Sequence, residues 1–261
     1  MLKKIYHPEI WRHQSPETEG LHQVITAENS ECRILNIMRL NLKKGRSFEL
    51  DFGNLEINAG IIEGEAELAF DGGKNILRRL DSFYLPGGRS AKVIAKKDLV
   101  VYIGAAPYEN VGEFFIRRLD LSLPIGEIHQ VHGKPPYERE VFMTLDHGTP
   151  ASRLIAGFTW SRDGAWTSWP PHQHEKDLEE VYCYFDMPEP AFGLHLSYLD
   201  PGKPGVAHKV GSGTFVEAPV GYHPTVASPG CHNTYFWVLG AHDKTSRRYD
   251  LAISDPHYDR K

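Results

Sequence analysis

Cysteine is scarce in this chain. Cys32, Cys183 and Cys231 are an odd number, and none stands in a Cys-x-x-Cys pair. That argues against a disulfide framework and suits a reducing compartment, with the three thiols read as small buried hydrophobes. Long apolar runs are missing too. Leu99-Val100-Val101-Tyr102-Ile103 is far too short to span a bilayer, and the N-terminal Met1-Leu2-Lys3-Lys4-Ile5-Tyr6 has no apolar signal-peptide core. Positive charge is not in excess: 29 Lys and Arg stand against 34 Asp and Glu, a formal net charge of -5. This excludes bulk attraction to nucleic acid or to anionic membranes, so an anionic substrate has to be caught by local cations. The expectation is a soluble cytoplasmic protein whose partner is a small molecule. Two further absences matter below. No window carries the period of a long amphipathic helix, and no histidine occurs between His22 and His129.

What is present reads as globular and turn-rich: 261 residues, 41% of them hydrophobic, with 24 glycines and 18 prolines. Short runs of β-formers alternate with turns. Ile61 to Phe70 is such a run, closed by Asp71-Gly72-Gly73, and Ala156 to Trp160, Val181 to Phe185 and Tyr235 to Gly240 are others. Many short strands at this spacing predict an all-β fold of sandwich or barrel type. Residues 1–20 lack periodicity and read as an arm laid over the surface. Residues 21–110 form a first strand-rich region. Residues 111–137 read as a connector in which Pro124, Gly126, Gly133, Pro135 and Pro136 interrupt regular structure, and residues 138–261 form a second region. A weak internal repeat links the two regions. Aligning Pro86 with Pro219 sets Ser90 where the second copy has His223. With no histidine available, the first copy is expected to be structural or to serve contacts between subunits of a homo-oligomer.

Chemistry concentrates in Pro171-His172-Gln173-His174 and the acidic run that follows. In a strand, residues two apart share a face, so His172 and His174 can aim at one point. Glu180 opens the run Val181-Tyr182-Cys183-Tyr184, and a neighbouring strand can bring its carboxylate beside the rings. Glu179 competes for that role, but the two alternate faces and only one can point inward. His223, in Gly221-Tyr222-His223-Pro224, is a fourth candidate. Three imidazoles and a carboxylate suit one divalent ion such as zinc, manganese, iron or nickel.

These residues carry a family resemblance. Pro171-His172-x-His174, Glu180-Val181-Tyr182 and Pro219-x-Gly221-Tyr222-His223-Pro224 resemble a bicupin, a pair of small antiparallel jelly-roll-like β-barrels. Within that group, Ser152-Arg153-Leu154-Ile155-Ala156-Gly157 and Trp166-Thr167-Ser168-Trp169 are similar to the sugar-acid isomerases. That family includes 5-deoxy-glucuronate isomerase of inositol breakdown and the isomerase of 5-keto-4-deoxyuronate. The resemblance implies a first cupin domain without metal (21–110) and a metal-binding one (138–261). It places the metal ligands on His172, His174, Glu180 and His223, with Glu180 preferred because it directly precedes Val181-Tyr182.

The implied reaction is an aldose–ketose interconversion of a deoxy-uronate, 5-deoxy-D-glucuronate to 5-dehydro-2-deoxy-D-gluconate. A divalent metal stabilises the charge that develops on oxygen, and no redox change is needed, so zinc suffices. Glu179, Tyr182, Tyr184 and His232 are candidates to carry the proton. For the substrate carboxylate Arg153 is the first choice, followed by Arg139, Lys209 and Arg247. Trp166, Trp169 and Tyr222 are candidates for the mouth. Three other readings use the same ligands: an isomerase of another uronate such as 5-keto-4-deoxyuronate, an iron(II) cupin oxygenase, which would consume oxygen, and a non-catalytic sugar-binding cupin, which would bind without turnover.

Overall fold

Alternating β-branched and aromatic residues, cut every few positions by glycine, proline or asparagine, leave strands as the economical way to pair this backbone. The computed structural model describes residues 4–203 and 205–258, and is all-β. Residues 1–3 of the arm and 259–261 of the second region lie outside the described residues, as does Pro204. Among the described residues the helical elements are two single 3-10 turns, Pro8–Ile10 and Lys244–Ser246. Among the described residues no helix is long and apolar enough to cross a membrane.

The first large sheet runs in the order Phe115–Arg117, Ser82–Leu85, Leu55–Glu63, Leu99–Pro107, Asn36–Leu42, Gly20–Ile25. A four-stranded sheet built on Glu65–Phe70 and Ala91–Ala95 shares an apolar core with it, to which Ile57, Leu68, Phe83 and Val93 belong. The second large sheet runs Arg12–Gln14, Thr214–Ala218, Leu178–Tyr184, His232–Ala241, Leu154–Asp163, Arg139–Leu145, His129–His132. Its small partner is Trp166–Thr167, Thr225–Ala227, Gly193–Ser197, Val206–Val210. Their shared core is richer in aromatics and polar groups, with Tyr182, Tyr184, Tyr235 and Trp237 at its centre. A third core, including Ile37, Tyr102, Phe158 and Phe236, lies between the two large sheets.

The expectation of closed barrels is corrected here. Among the described residues no sheet closes on itself. Each core is sealed by two open sheets packed face to face, since the strands end their ladders at one large or one small sheet. Two other features differ from the expectation. The arm is not merely laid over the surface: Arg12–Gln14 pairs with Thr214–Ala218, and Trp11 beside it is fully buried, its indole N–H donating to Glu31 at 2.6 Å. The connector contributes Phe115–Arg117 and His129–His132 to the two large sheets. The first falls within residues 112–119, a run that suits a short strand or helix; the second is too short for a period to show in the sequence.

The repeat is visible in the topology. Ser82–Leu85 and Thr214–Ala218 occupy equivalent places, each one strand in from the edge of its large sheet. Ser90 is exposed, whereas His223 is buried. The contact between the large sheets is tight enough to test. A Cβ at Gly104 would meet Val238 Cγ1 and Cγ2 at 2.6 and 2.7 Å. Gly104→Ala is expected to destabilise the fold by about 1–3 kcal/mol through overpacking, read as a lowered urea midpoint.

Candidate metal centre

The second aromatic core opens at one end onto a cluster of polar side chains, each delivered by a different piece of backbone. His172 sits in the two-residue strand His172–Gln173, paired with Ile253–Ser254. His174 follows at the start of a tight turn, where Asp177 and Leu178 donate their N–H groups to its carbonyl. Glu180 lies in Leu178–Tyr184, held between Ala218 and Leu239 of the flanking strands. His223 follows Gly221, whose φ of +75° and whose approach to the Tyr198 carbonyl (2.5 Å from a Cβ placed there) leave no room for a side chain.

The structure brings these four residues together. The ligand atoms of His172, His174 and His223 lie within 4.8 Å of one another. Glu180 Oε2 is 3.0 Å from His174 Nε2 and 3.2 Å from His223 Nε2. All but His172 are buried. The other ring nitrogens decide what this cluster wants. His172 Nδ1 is 2.9 Å from the Pro170 carbonyl, His174 Nδ1 3.2 Å from the Leu178 carbonyl and His223 Nδ1 3.0 Å from the Gly221 carbonyl. A carbonyl only accepts, so each Nδ1 carries the proton and, in the neutral ring, each Nε2 presents a lone pair.

Two lone pairs then face a carboxylate oxygen in a buried site, an arrangement that needs positive charge between them. Desolvation, reinforced by His223 and His174, lowers the pKa of His172 to about 3, so this ring stays neutral. For Glu180 burial works against ionisation, and only positive character at the His174 and His223 positions outweighs it and holds the carboxyl well below its usual range, which is the charge that a bound cation would supply. An N₃O donor set of neutral imidazoles and a carboxylate, each imidazole oriented by a carbonyl behind it, fits a divalent cation.

A cavity of about 230 Å³ adjoins the cluster, lined among others by Arg139, Ser168, Trp169, Tyr182, Tyr235 and Tyr249. Tyr182 shares a 2.5 Å hydrogen bond with Ser168. Ser168 has φ +50°, a left-handed conformation that is strained for serine and places its hydroxyl against the tyrosine. Desolvation pushes the Tyr182 phenol well above its ordinary pKa, so it remains a proton donor. Arg139 donates from Nη1 to the Trp169 carbonyl at 3.1 Å.

Two residues read from sequence as catalytic are placed elsewhere, and both readings are corrected. Glu179 points to the opposite face from Glu180. It is buried and accepts backbone N–H groups from Arg33, Ile34 and Leu35. Arg153 spends its guanidinium on the Ala241 and His242 carbonyls and on Glu109, away from the cavity. Of the other cations, Arg247 is taken up by the Leu154, His147 and Asp146 carbonyls, and Lys209 is exposed over Phe192. Arg139 alone of the four lines the cavity. Tyr184 lies deeper, bonded to His195 and Thr225 at 2.8 Å each, and exposed His232 reaches the Ser161 carbonyl. Trp169 lines the cavity with Trp166 packed against it, while Tyr222 stacks on Tyr198. Ser168, Tyr235 and Tyr249 were not singled out from sequence. Their only signal was proximity in the chain to a recognisable motif, and Tyr249 lacked even that.

Comparison with known proteins agrees with this site-bearing fold. The KduI/IolB family matches residues 10–259. The chain is similar to 5-deoxy-glucuronate isomerase of Geobacillus kaustophilus (strain HTA426), 26% identical over 263 residues, covering 94% of this chain and 92% of the relative. It is also similar to 5-deoxy-glucuronate isomerase of Bacillus subtilis (strain 168), 24% identical over 250 residues, covering 88% and 89%. Among solved structures, an IolB-like protein from Salmonella typhimurium LT2 superposes with a TM-score of 0.77 at 23% identity, over 95% of this chain and 98% of that one. Bacillus subtilis oxalate decarboxylase, a protein with Mn(II) centres, shares the fold more distantly, with a TM-score of 0.56 at 13% identity over 93% and 77%. The match across nearly the whole chain shows that it belongs to the KduI/IolB family, as an enzyme of the isomerase class.

Proposed function

We propose that this chain is a metal-dependent aldose–ketose isomerase of a deoxy-uronate, working in the second of two cupin halves. The substrate we assign is 5-deoxy-D-glucuronate and the product 5-dehydro-2-deoxy-D-gluconate. The observation that carries the reading is the buried Glu180 oxygen set 3.0 and 3.2 Å from two imidazole nitrogens whose partner nitrogens are already bonded to carbonyls. The relatives named as 5-deoxy-glucuronate isomerases support the choice of sugar.

His172, His174, Glu180 and His223 would hold the ion. When bound, a divalent metal supplies a Lewis acid and a template for adjacent carbonyl and hydroxyl oxygens. The protein supplies the rest. Arg139 receives the substrate carboxylate: among the described residues only its Nη1 has protein acceptors, which leaves the remaining guanidinium N–H groups for a two-pronged contact. Tyr182, kept protonated by burial and oriented by Ser168, donates a hydrogen bond to the sugar oxygen on which charge develops. Trp169 and Trp237 wall the cavity and limit water around the exchanging proton.

Stripping metal from the purified protein with a chelator is expected to abolish conversion of 5-deoxy-glucuronate followed by NMR. Zinc should restore it, with or without oxygen. Oxygen uptake coupled to substrate loss would replace this reading with an oxygenase. Ligand binding without turnover in the metal-loaded protein would replace it with a non-catalytic cupin.

A further inference from the structure

Glu179 and Glu56 form a matched pair. Each is a fully buried carboxylate near the start of an inner strand of a large sheet, directly after a leucine. Each accepts three consecutive backbone N–H groups from the other half of the chain. Glu179 takes those of Arg33, Ile34 and Leu35 at 2.7, 2.9 and 2.7 Å. Glu56 takes those of Ser152, Arg153 and Leu154 at 2.7, 2.6 and 2.8 Å. The donors lie in similar stretches, Cys32-Arg33-Ile34-Leu35 against Ser152-Arg153-Leu154-Ile155, with the three bonded amides starting one position earlier in the second. The two clasps differ in what comes next. Ile57, a core residue, follows Glu56, whereas Glu180 follows Glu179.

We propose that Glu179 is a positioning residue for the metal centre, fixing from behind the strand that carries Glu180, an inference that rests on the metal reading above. Three successive residues divide the work. The Leu178 carbonyl orients His174 through Nδ1, Glu179 is anchored on the far face, and Glu180 projects into the site. Both Glu179 oxygens are engaged, Oε2 by Arg33 and Oε1 by Ile34 and Leu35, so the side chain can neither rotate nor slide. That pins the register of the strand, and a one-residue slip would send Glu180 to the wrong face. The neighbouring strand extends the seam. Glu217 accepts the N–H groups of Glu31 and Cys32 at 2.8 and 3.2 Å, so five consecutive amides of the first half are tied to the back of the site. Removing that carboxylate is therefore expected to loosen the delivery of the His174 and Glu180 side chains at once, through the backbone of residues 178–180 rather than by any direct contact with them.

Glu56 supplies the internal control, because it holds the same three-amide clasp with no candidate ligand beside it; the Tyr84 hydroxyl donates to it at 2.6 Å, where Glu179 instead has His242 Nε2 at 3.5 Å. The full-length protein is titrated with zinc against a chromophoric chelator and loaded with cobalt(II) for its visible spectrum, as wild type, Glu179→Gln and Glu56→Gln. Both variants are expected to lower the urea midpoint. Only Glu179→Gln is expected to weaken zinc binding, by about 10–100-fold, and to change the cobalt spectrum. Equal zinc affinities and identical spectra for the two variants would overturn the proposal. Should Glu179→Gln not fold, Glu179→Asp against Glu56→Asp gives the same comparison with the charge kept. A wild-type protein that takes up neither metal would instead sink the metal reading itself.

Discussion

His223→Ala is expected to purify as a folded protein that retains no divalent metal and shows no turnover. The imidazole is buried and its Nδ1 is fixed by the Gly221 carbonyl, so the ring has one free nitrogen and one direction to offer it. If four donors share the roughly 10–16 kcal/mol typical of a structural zinc site, losing one costs about 3 kcal/mol or more. That corresponds to at least about a hundredfold in affinity, enough to empty the site during purification. The fold should survive, because three separate apolar cores carry it and His223 belongs to none of them. Elemental analysis and circular dichroism together check the outcome. Full metal occupancy in a folded variant would remove His223 from the ligand set. His172→Ala should behave alike.

Arg139→Gln separates substrate capture from metal binding. Its guanidinium is the one cation of the four weighed from sequence that reaches the cavity. A charge-assisted hydrogen bond to a carboxylate contributes about 1.5–3 kcal/mol, so kcat/KM should fall about ten- to hundredfold. Metal content should not change. Arg139→Lys should recover part of the loss, since it keeps the charge but not the planar fork. Unaltered kcat/KM in Arg139→Gln, at full metal occupancy, would mean that the carboxylate is held by something else.

The contrast between Arg139 and Arg153 shows where sequence reading reached its limit. The four metal-site candidates were legible because two rules act locally. Residues two apart on extended backbone converge, and adjacent glutamates diverge, so Glu180 and Glu179 had to serve different faces. The all-β class was legible for a similar reason, in the short alternating runs and their Gly and Pro punctuation. Arg153 lies inside a motif with the right flavour, yet its side chain turns to carbonyls at 241 and 242, a contact spanning some ninety residues that no local pattern encodes. Glu179 was seen as an ionisable group beside a site. That it is spent on the amides of 33–35 follows only from how the two large sheets pack. The Arg12–Gln14 strand was missed because three residues cannot display a period. The carbonyls behind each ring were invisible for the plainest reason, that every residue has one.

The pairing of Arg12–Gln14 with Thr214–Ala218 sets a limit on how this molecule can be dissected. A fragment starting near residue 138 would be missing the edge ribbon that its largest sheet borrows from the beginning of the chain. Thr214–Ala218 would then present an unpaired rim, a template for intermolecular β-addition and precipitation. The piece holding every metal-site candidate is thus not self-sufficient, and supplying residues 1–30 in trans would be the natural way to rescue it.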